Sequence, residues 1–206
     1  MKKIIGFGEK VEGYDILVLN ERELRATAGI LFLMMYTSIM IVIFENQYLM
    51  LKYAILIFLT DFIIRVFVNP KFSPTLIIGR MIVKNQVPEY VGAQQKKFAW
   101  IIGVIISATM FILIGILNFD NFITTLLCYV CLIFLFFEAA FGICIGCKIY
   151  TLAYKEKAQY CPGEVCDLNS RQEIQKTSKV QKFIVLGFIA YIFLIGFMFY
   201  DFFLNF

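Results

Sequence analysis

Long apolar runs alternate with short polar segments along the chain, and the lengths of the runs set the first constraint. Ala26 to Phe44 carries no charged residue. As a helix rising about 1.5 Å per residue, it crosses the ~30 Å hydrocarbon core of a bilayer. Four further runs have similar length: Tyr48 to Val68, Phe98 to Leu117, Phe122 to Ile143 and Phe183 to Tyr200. Glu45-Asn46-Gln47 and Asn118 to Asn121 read as tight polar turns between neighbouring runs. A shorter apolar stretch, Phe72 to Val83, is too short to span and is interrupted by Pro74 and Gly79, so it reads as interfacial or re-entrant. The pattern therefore predicts an all-α integral membrane protein. It is a bundle of about five transmembrane helices with one short interfacial or re-entrant segment.

The same pattern divides the chain into an N-terminal arm (1–25), a four-span domain (26–147), a cysteine-bearing polar loop (148–182) and a fifth helix (183–206). Asn20 is placed to cap the first helix, with Glu23 three residues on in capping-box position. The arm is polar and mixed in charge, without the short apolar core of a secretory signal. Composition agrees: 61% of residues are hydrophobic and 17% charged, with mean hydropathy +0.80. A soluble domain carries closer to a quarter charged residues.

Charge adds orientation. Of 19 Lys and Arg, five lie in the first 25 residues, five between positions 69 and 97, and seven between 148 and 182. The other two, Lys52 and Arg65, lie inside the second run, and the two short turns have none. The positive-inside rule puts the N-terminus in the cytoplasm and the C-terminus outside, which an odd number of spans satisfies. Because the cations lie between apolar runs and form no basic face, a nucleic-acid partner is excluded; the lipid bilayer is the expected surrounding. The absence of His removes the commonest general base and argues against His-based metal centres.

This topology brings separated residues to one membrane face: Arg22, Arg25, Asp61, Arg65, Lys96, Lys97 and Glu138. Asp61 and Arg65 are i,i+4 with the acid first, the favourable order for a helix-face pair. They read either as a structural ion pair or as the lining of a polar cavity, since ionisable groups at that depth must be paired or turned inward. Glu138 has no cation in its own helix, and is expected to complete a cluster with Asp61 and Arg65 or to relay a proton to nearby thiols.

Those thiols are the densest chemistry in the chain. Cys144 and Cys147 form a Cys-x-x-Cys where the fourth run ends, and Cys161 and Cys166 flank Pro162-Gly163 in the following loop. In a reducing cytoplasm, close cysteine pairs point to redox turnover or metal binding more than to lasting disulfides. Two pairs could pass electrons or sulfane sulfur by thiol exchange, with Lys148 favouring the thiolate. The same four thiolates would suffice for a tetrahedral zinc site, and incidental packing cysteines are the third reading. Cys128 and Cys131 lie in the middle of an apolar run and read as small packing residues.

Several motifs carry a resemblance. They are Asn20-Glu21-Arg22 before the first run, Asp61 with Arg65, Lys71-Phe72-Ser73-Pro74, Val91-Gly92-Ala93-Gln94-Gln95-Lys96-Lys97-Phe98-Ala99, and Glu138-Ala139-Ala140-Phe141-Gly142 leading into Cys144-Ile145-Gly146-Cys147-Lys148-Ile149-Tyr150. Over roughly residues 18 to 150 the chain resembles a bacterial membrane family labelled domain of unknown function 4395, and Cys161 to Cys166 resembles a tail of some members. The resemblance implies a four-helix membrane domain in the bacterial cytoplasmic membrane, with thioredoxin-like or rhodanese-like partners and sulfur or thiol chemistry. The fifth run departs from that pattern, as does Gln94 at a position where the family suggests proline.

The expected function is a membrane thiol-disulfide or sulfane-sulfur relay. Cys144 and Cys147 are the exchanging pair, Cys161 and Cys166 the second pair, and Asp61, Arg65 and Glu138 a polar floor. Two alternatives stay open. One is a transporter for a small sulfur anion attracted by Arg25, Arg65, Lys96 and Lys97, for which a homodimer would supply the repeat that a single chain lacks. The other is a zinc-thiolate scaffold without catalysis. No cofactor other than zinc is implied.

Overall fold

A computed structural model of the chain describes residues 7–12, 14–147, 149 and 179–198. The chain divides into two units, Met1–Cys166 and Asp167–Phe206. In the first unit, strand β1 (Val18–Asn20) runs directly into helix α1 (Glu21–Glu45). Helix α2 (Leu49–Ile63) widens into a π turn (Ile64–Val68) and is followed by a short 3-10 turn (Pro70–Phe72) and helix α3 (Pro74–Val83). Strand β2 (Tyr90–Gly92) runs directly into α4 (Ala93–Met110), which also ends in a π turn (Phe111–Ile116), and α5 (Phe122–Phe141) follows. In the second unit, α6 (Lys179–Met198) is one continuous helix of 20 residues.

Local chemistry sets the helix ends. The Asn20 side chain accepts a bond from the Arg22 amide, as expected of an N-cap, at 3.2 Å. The expected capping box does not form, because Glu23 turns to Arg80 on α3 instead. Asn46 and Asn118, in the two expected turns, take left-handed φ of 55° and 50°, a region in which Asn is enriched. Asn121 and Thr124 cap α5 reciprocally, each bond 3.0 Å. That helix stops at Gly142, also left-handed, short of the expected Ile143.

Among the described residues, three helices are long and apolar enough to cross a membrane: Glu21–Glu45, Ala93–Ile116 and Phe122–Phe141. The second expected span, by contrast, is a 15-residue α-helix extended by the π turn, and it carries Lys52, Asp61 and Arg65. The Phe72 to Val83 stretch also differs from its reading. Pro74 sits in the first turn of α3, where its missing N–H costs nothing, with Ser73 as the cap. Gly79 does not interrupt the helix. A Cβ there would collide with Thr27 Oγ1 and lie 2.8 Å from the Glu23 carbonyl, so Gly79 lets α3 lie against the backbone of α1.

The core packs Leu31, Met35 and Ile39 of α1 against Ile55 and Phe58 of α2, Trp100 and Met110 of α4, and Cys128, Cys131 and Leu135 of α5. The two cysteines are thus packing residues, as expected. Outward-facing Leu33, Tyr53, Phe67, Ile105 and Ile133 leave the bundle with an apolar exterior, which a soluble domain would bury.

The two-stranded ribbon governs the site. Val18 pairs with Gly92, Leu19 with Val91 and Asn20 with Tyr90, antiparallel. Because each strand continues straight into a helix, this register holds the N-termini of α1 and α4 side by side. Sequence patterning gave no warning of it: each strand is three residues long, and the two are separated in sequence by α1, α2 and α3.

Candidate functional site

Polar side chains from every helix of the first unit gather at the ribbon end of the bundle, in two buried clusters with different bonding.

The first holds the Asp61 and Arg65 pair. Arg65 Nη2 lies 2.7 Å from Asp61 Oδ2, and both side chains are almost fully buried, 4% and 3% exposed. Asp61 Oδ1 accepts bonds from the Ser73 hydroxyl at 2.7 Å and the Thr75 amide at 3.1 Å. The Thr75 hydroxyl donates to Asp61 Oδ2 at 2.7 Å and accepts from Arg65 Nη2 at 2.7 Å. Arg65 Nε reaches Ser73 Oγ at 3.3 Å, and its guanidinium lies over the rings of Phe62 and Trp100 at 4.5 and 5.2 Å. The π turn carrying Arg65 thus meets the capped start of α3 in a neutral, closely bonded cluster. This geometry fits the structural ion pair among the two sequence readings.

The second cluster surrounds Lys96, one turn into α4 and 1% exposed. Its Nζ lies 2.9 Å from Glu21 Oε2 on α1 and 2.9 Å from Glu138 Oε1 on α5. Glu21 is fully buried, and Glu138 keeps 17% exposure. The Lys96–Glu21 contact has the distance of an ion pair without the directionality of a hydrogen bond, so neither Glu21 oxygen has a hydrogen-bond partner among the described residues. One cation facing two carboxylates leaves an excess negative charge when all three are ionised. Burial makes such a charge costly. Glu138 therefore finds its cation on another helix, and not in Arg65 or Arg25.

The remaining expected residues hold the frame. Arg25 Nη2 donates to the carbonyls of Ala140 and Ala139 at 3.2 and 3.5 Å, a cation on the negative end of α5. Arg22 pairs with Glu89 at 2.5 Å and donates to Gln86 at 3.1 Å. Glu23 holds Arg80 through bonds of 3.0 and 3.2 Å, and this charged contact, more than any other, keeps the Arg80 guanidinium above its ordinary pKa. A cavity of about 450 Å³ lies between the arm and α3, lined by residues that include Glu9, Glu23, Lys71 and Arg80. Among the described residues, Cys144, Cys147, Lys96 and Glu138 do not line it.

The Cys-x-x-Cys follows the Gly142 turn. Cys144 is partly exposed and Cys147 buried. The Cys147 amide donates to Cys144 Sγ at 3.3 Å. A Cβ on Gly146 would lie 2.8 Å from the Ala99 Cα, so the turn carrying the cysteines sits on the backbone of α4 one helical turn beyond Lys96. Only glycine permits that approach. The Cys147 thiol is pushed well above its ordinary pKa, first by its hydrogen bond to the Cys144 sulfur, then by burial and by the negative charge that Cys144 can carry; Lys96 opposes the shift. Cys161 and Cys166 lie outside the described residues.

Sequence reasoning missed Glu21, Ser73 and Thr75. Ser73 before Pro74 is a legible cap, whereas nothing local to Glu21 distinguishes it from a solvated first-turn acid.

No curated protein and no solved structure matches the chain. Residues 19–155, more than half of the chain and including both buried clusters and the Cys144–Cys147 turn, match the family described as Domain of unknown function (DUF4395). With that match, the chain belongs to this family.

Proposed function

We propose that the chain is a multi-pass membrane protein whose Cys144–Cys147 pair exchanges disulfides or sulfane sulfur with a soluble thioredoxin-like or rhodanese-like protein at the cytoplasmic face. In this reading α2 and α6 join the three apolar helices as spans, with the N-terminus inside and the C-terminus outside. The observation that carries the reading is the asymmetry of the pair. Cys144 is partly exposed and accepts the Cys147 amide at 3.3 Å, while Cys147 is buried, its thiol pushed upward by its bond to the Cys144 sulfur and by burial.

Such a pair divides the work of exchange. The Cys144 thiolate attacks one sulfur of a partner disulfide, forming a mixed disulfide and releasing the partner's other sulfur as a thiolate. Cys147 then loses its proton and attacks Cys144 Sγ. The Cys144–Cys147 disulfide forms, the partner's second thiolate leaves, and two electrons have passed to the partner. Cys161 and Cys166 are the second pair, to which the disulfide passes on. Against the anion-transporter alternative, Arg25, Arg65 and Lys96 are each engaged by protein groups.

The test is a trap. Purified Cys147→Ser should accumulate a mixed disulfide on Cys144 when mixed with an oxidised thioredoxin-like protein, and Cys144→Ser should accumulate none. Equal, negligible adduct in both variants would overturn the proposal.

A further inference from the structure

The second exchange step needs somewhere to put a proton. Cys147 is buried, and as a thiol it completes its attack only if a neighbouring group takes the proton. The cluster around Lys96 lies against the same turn. Gly146 is seated on Ala99, one turn along α4 from Lys96. Glu138 lies in the last turn of α5, its carbonyl accepting the Gly142 amide at 3.1 Å just before the cysteines. Helical side chains lean toward the helix N-terminus, which for α4 is the end carrying Lys96.

Charge counting separates this cluster from its neighbour. Asp61 and Arg65 are one anion and one cation, surrounded by donors and acceptors, so a proton added there would break an ion pair. Glu21, Lys96 and Glu138 are two anions and one cation, and one added proton makes the set neutral without removing either partner from Lys96's reach. The groups facing Lys96 and the two carboxylates are Glu21 and Arg25 from α1, Arg65 from α2, Glu138 from α5, and Cys144 and Cys147 from the turn. Arg65 is balanced by Asp61, and Arg25, bonded to the Ala139 and Ala140 carbonyls, keeps its charge and acts on Glu21 only through space. Glu138 is the member with solvent access.

We infer that the buried Glu21–Lys96–Glu138 triad is the proton store of the Cys144–Cys147 pair. It takes the Cys147 proton as that sulfur attacks, returns a proton when the disulfide is reduced, and exchanges with water through Glu138. The step balances: the mixed disulfide, the Cys147 thiol and a triad carboxylate become the Cys144–Cys147 disulfide, the partner's thiolate and a carboxylic acid. The inference rests on the thiol-exchange reading, and its test separates the two.

With a small aromatic disulfide as oxidant, the rate of chromophore release on attack by Cys144 and the rate of disulfide closure by Cys147 can be followed separately in wild type, Glu21→Gln and Glu138→Gln. The expected result is unchanged attack, closure slowed on the order of 100-fold at neutral pH, the typical worth of a positioned acid or base, and a closure pH profile displaced to higher pH. Closure with wild-type rate and pH profile in both variants would overturn the proton store while leaving the exchange intact. Failure of the wild type to form the adduct at all would sink both. Wild-type protein alone gives a second readout: infrared difference spectra on oxidation should show a protonated-carboxyl band appearing, and their lack of any carboxyl change would equally overturn the inference.

Discussion

Two buried charge clusters lie at the same end of this helical bundle, and they are built oppositely. Asp61 and Arg65 balance in charge, and Ser73 and Thr75 bond to both Asp61 oxygens and to Arg65 Nε and Nη2. Glu21, Lys96 and Glu138 are unequal in charge, and among the described residues the fully buried Glu21 carboxylate has its ion pair to Lys96 but no hydrogen-bond partner. The difference teaches how to tell a staple from a working group. A closed, neutral set holds α3 onto α2 and has no state to change into. An open, charged set placed beside a thiol pair can gain or lose a proton without dismantling the fold.

Breaking the staple should have the largest effect. Replacing Asp61 or Arg65 singly by Ala leaves the other charge buried and alone, and should cost about 3–5 kcal/mol. Thermal unfolding of the detergent-purified protein would show it as a large drop in midpoint or as failure to recover folded material. Glu21→Gln sharpens the contrast from the other side. It removes an ion-pair partner but also the excess charge, so its stability should stay within about 1 kcal/mol of wild type, the size of an ordinary net hydrogen bond. If it proved as damaging as Asp61→Ala, the two clusters would not differ in kind.

The seat of the thiols gives a further prediction. Gly146→Ala sets a methyl against the Ala99 backbone, where no flexible side chain can give way. It should lift the turn from α4 and expose Cys147, read as faster alkylation of that residue by mass mapping, with little loss of stability. In wild type the pH dependence of alkylation has a definite sign. The Cys147 thiol holds its proton above the ordinary range because of its bond to Cys144 and its burial. Its thiolate fraction at neutral pH is therefore small, and Cys144 should be modified first. Cys147 should become reactive only as pH rises past the usual thiol range. The smallest effect expected is that of Asn20→Ala, about 1 kcal/mol from the lost cap of α1.

What could be read from the sequence follows the range of the forces involved. The first, third and fourth apolar runs, the Asn46 and Asn118 turns, the Asn20 cap and the i,i+4 partnership of Asp61 with Arg65 are all local, and each appears in the structure. The Cys128 and Cys131 packing role was equally legible, from their position in an apolar run. The Lys96–Glu138 pair joins residues on different helices, and its existence depends on a three-residue ribbon that no periodicity announces. Glu21 reads as a favourable first-turn acid, and only the pairing of β1 with β2 buries it against Lys96. Pro74 and Gly79 were misread for the same reason: whether they interrupt a helix or start and seat one is decided by what packs against them.

The central claim is that Cys144 and Cys147 form a reversible exchanging pair, and equilibrating the purified full chain in graded thiol–disulfide buffers tests it most directly. Peptide mass mapping and metal analysis would be run on each sample. A Cys144–Cys147 disulfide should form and reopen across the series, with no metal bound in the reduced state. A pair that stays reduced at every poise, or four thiols protected by one bound zinc per chain until chelation, would contradict it.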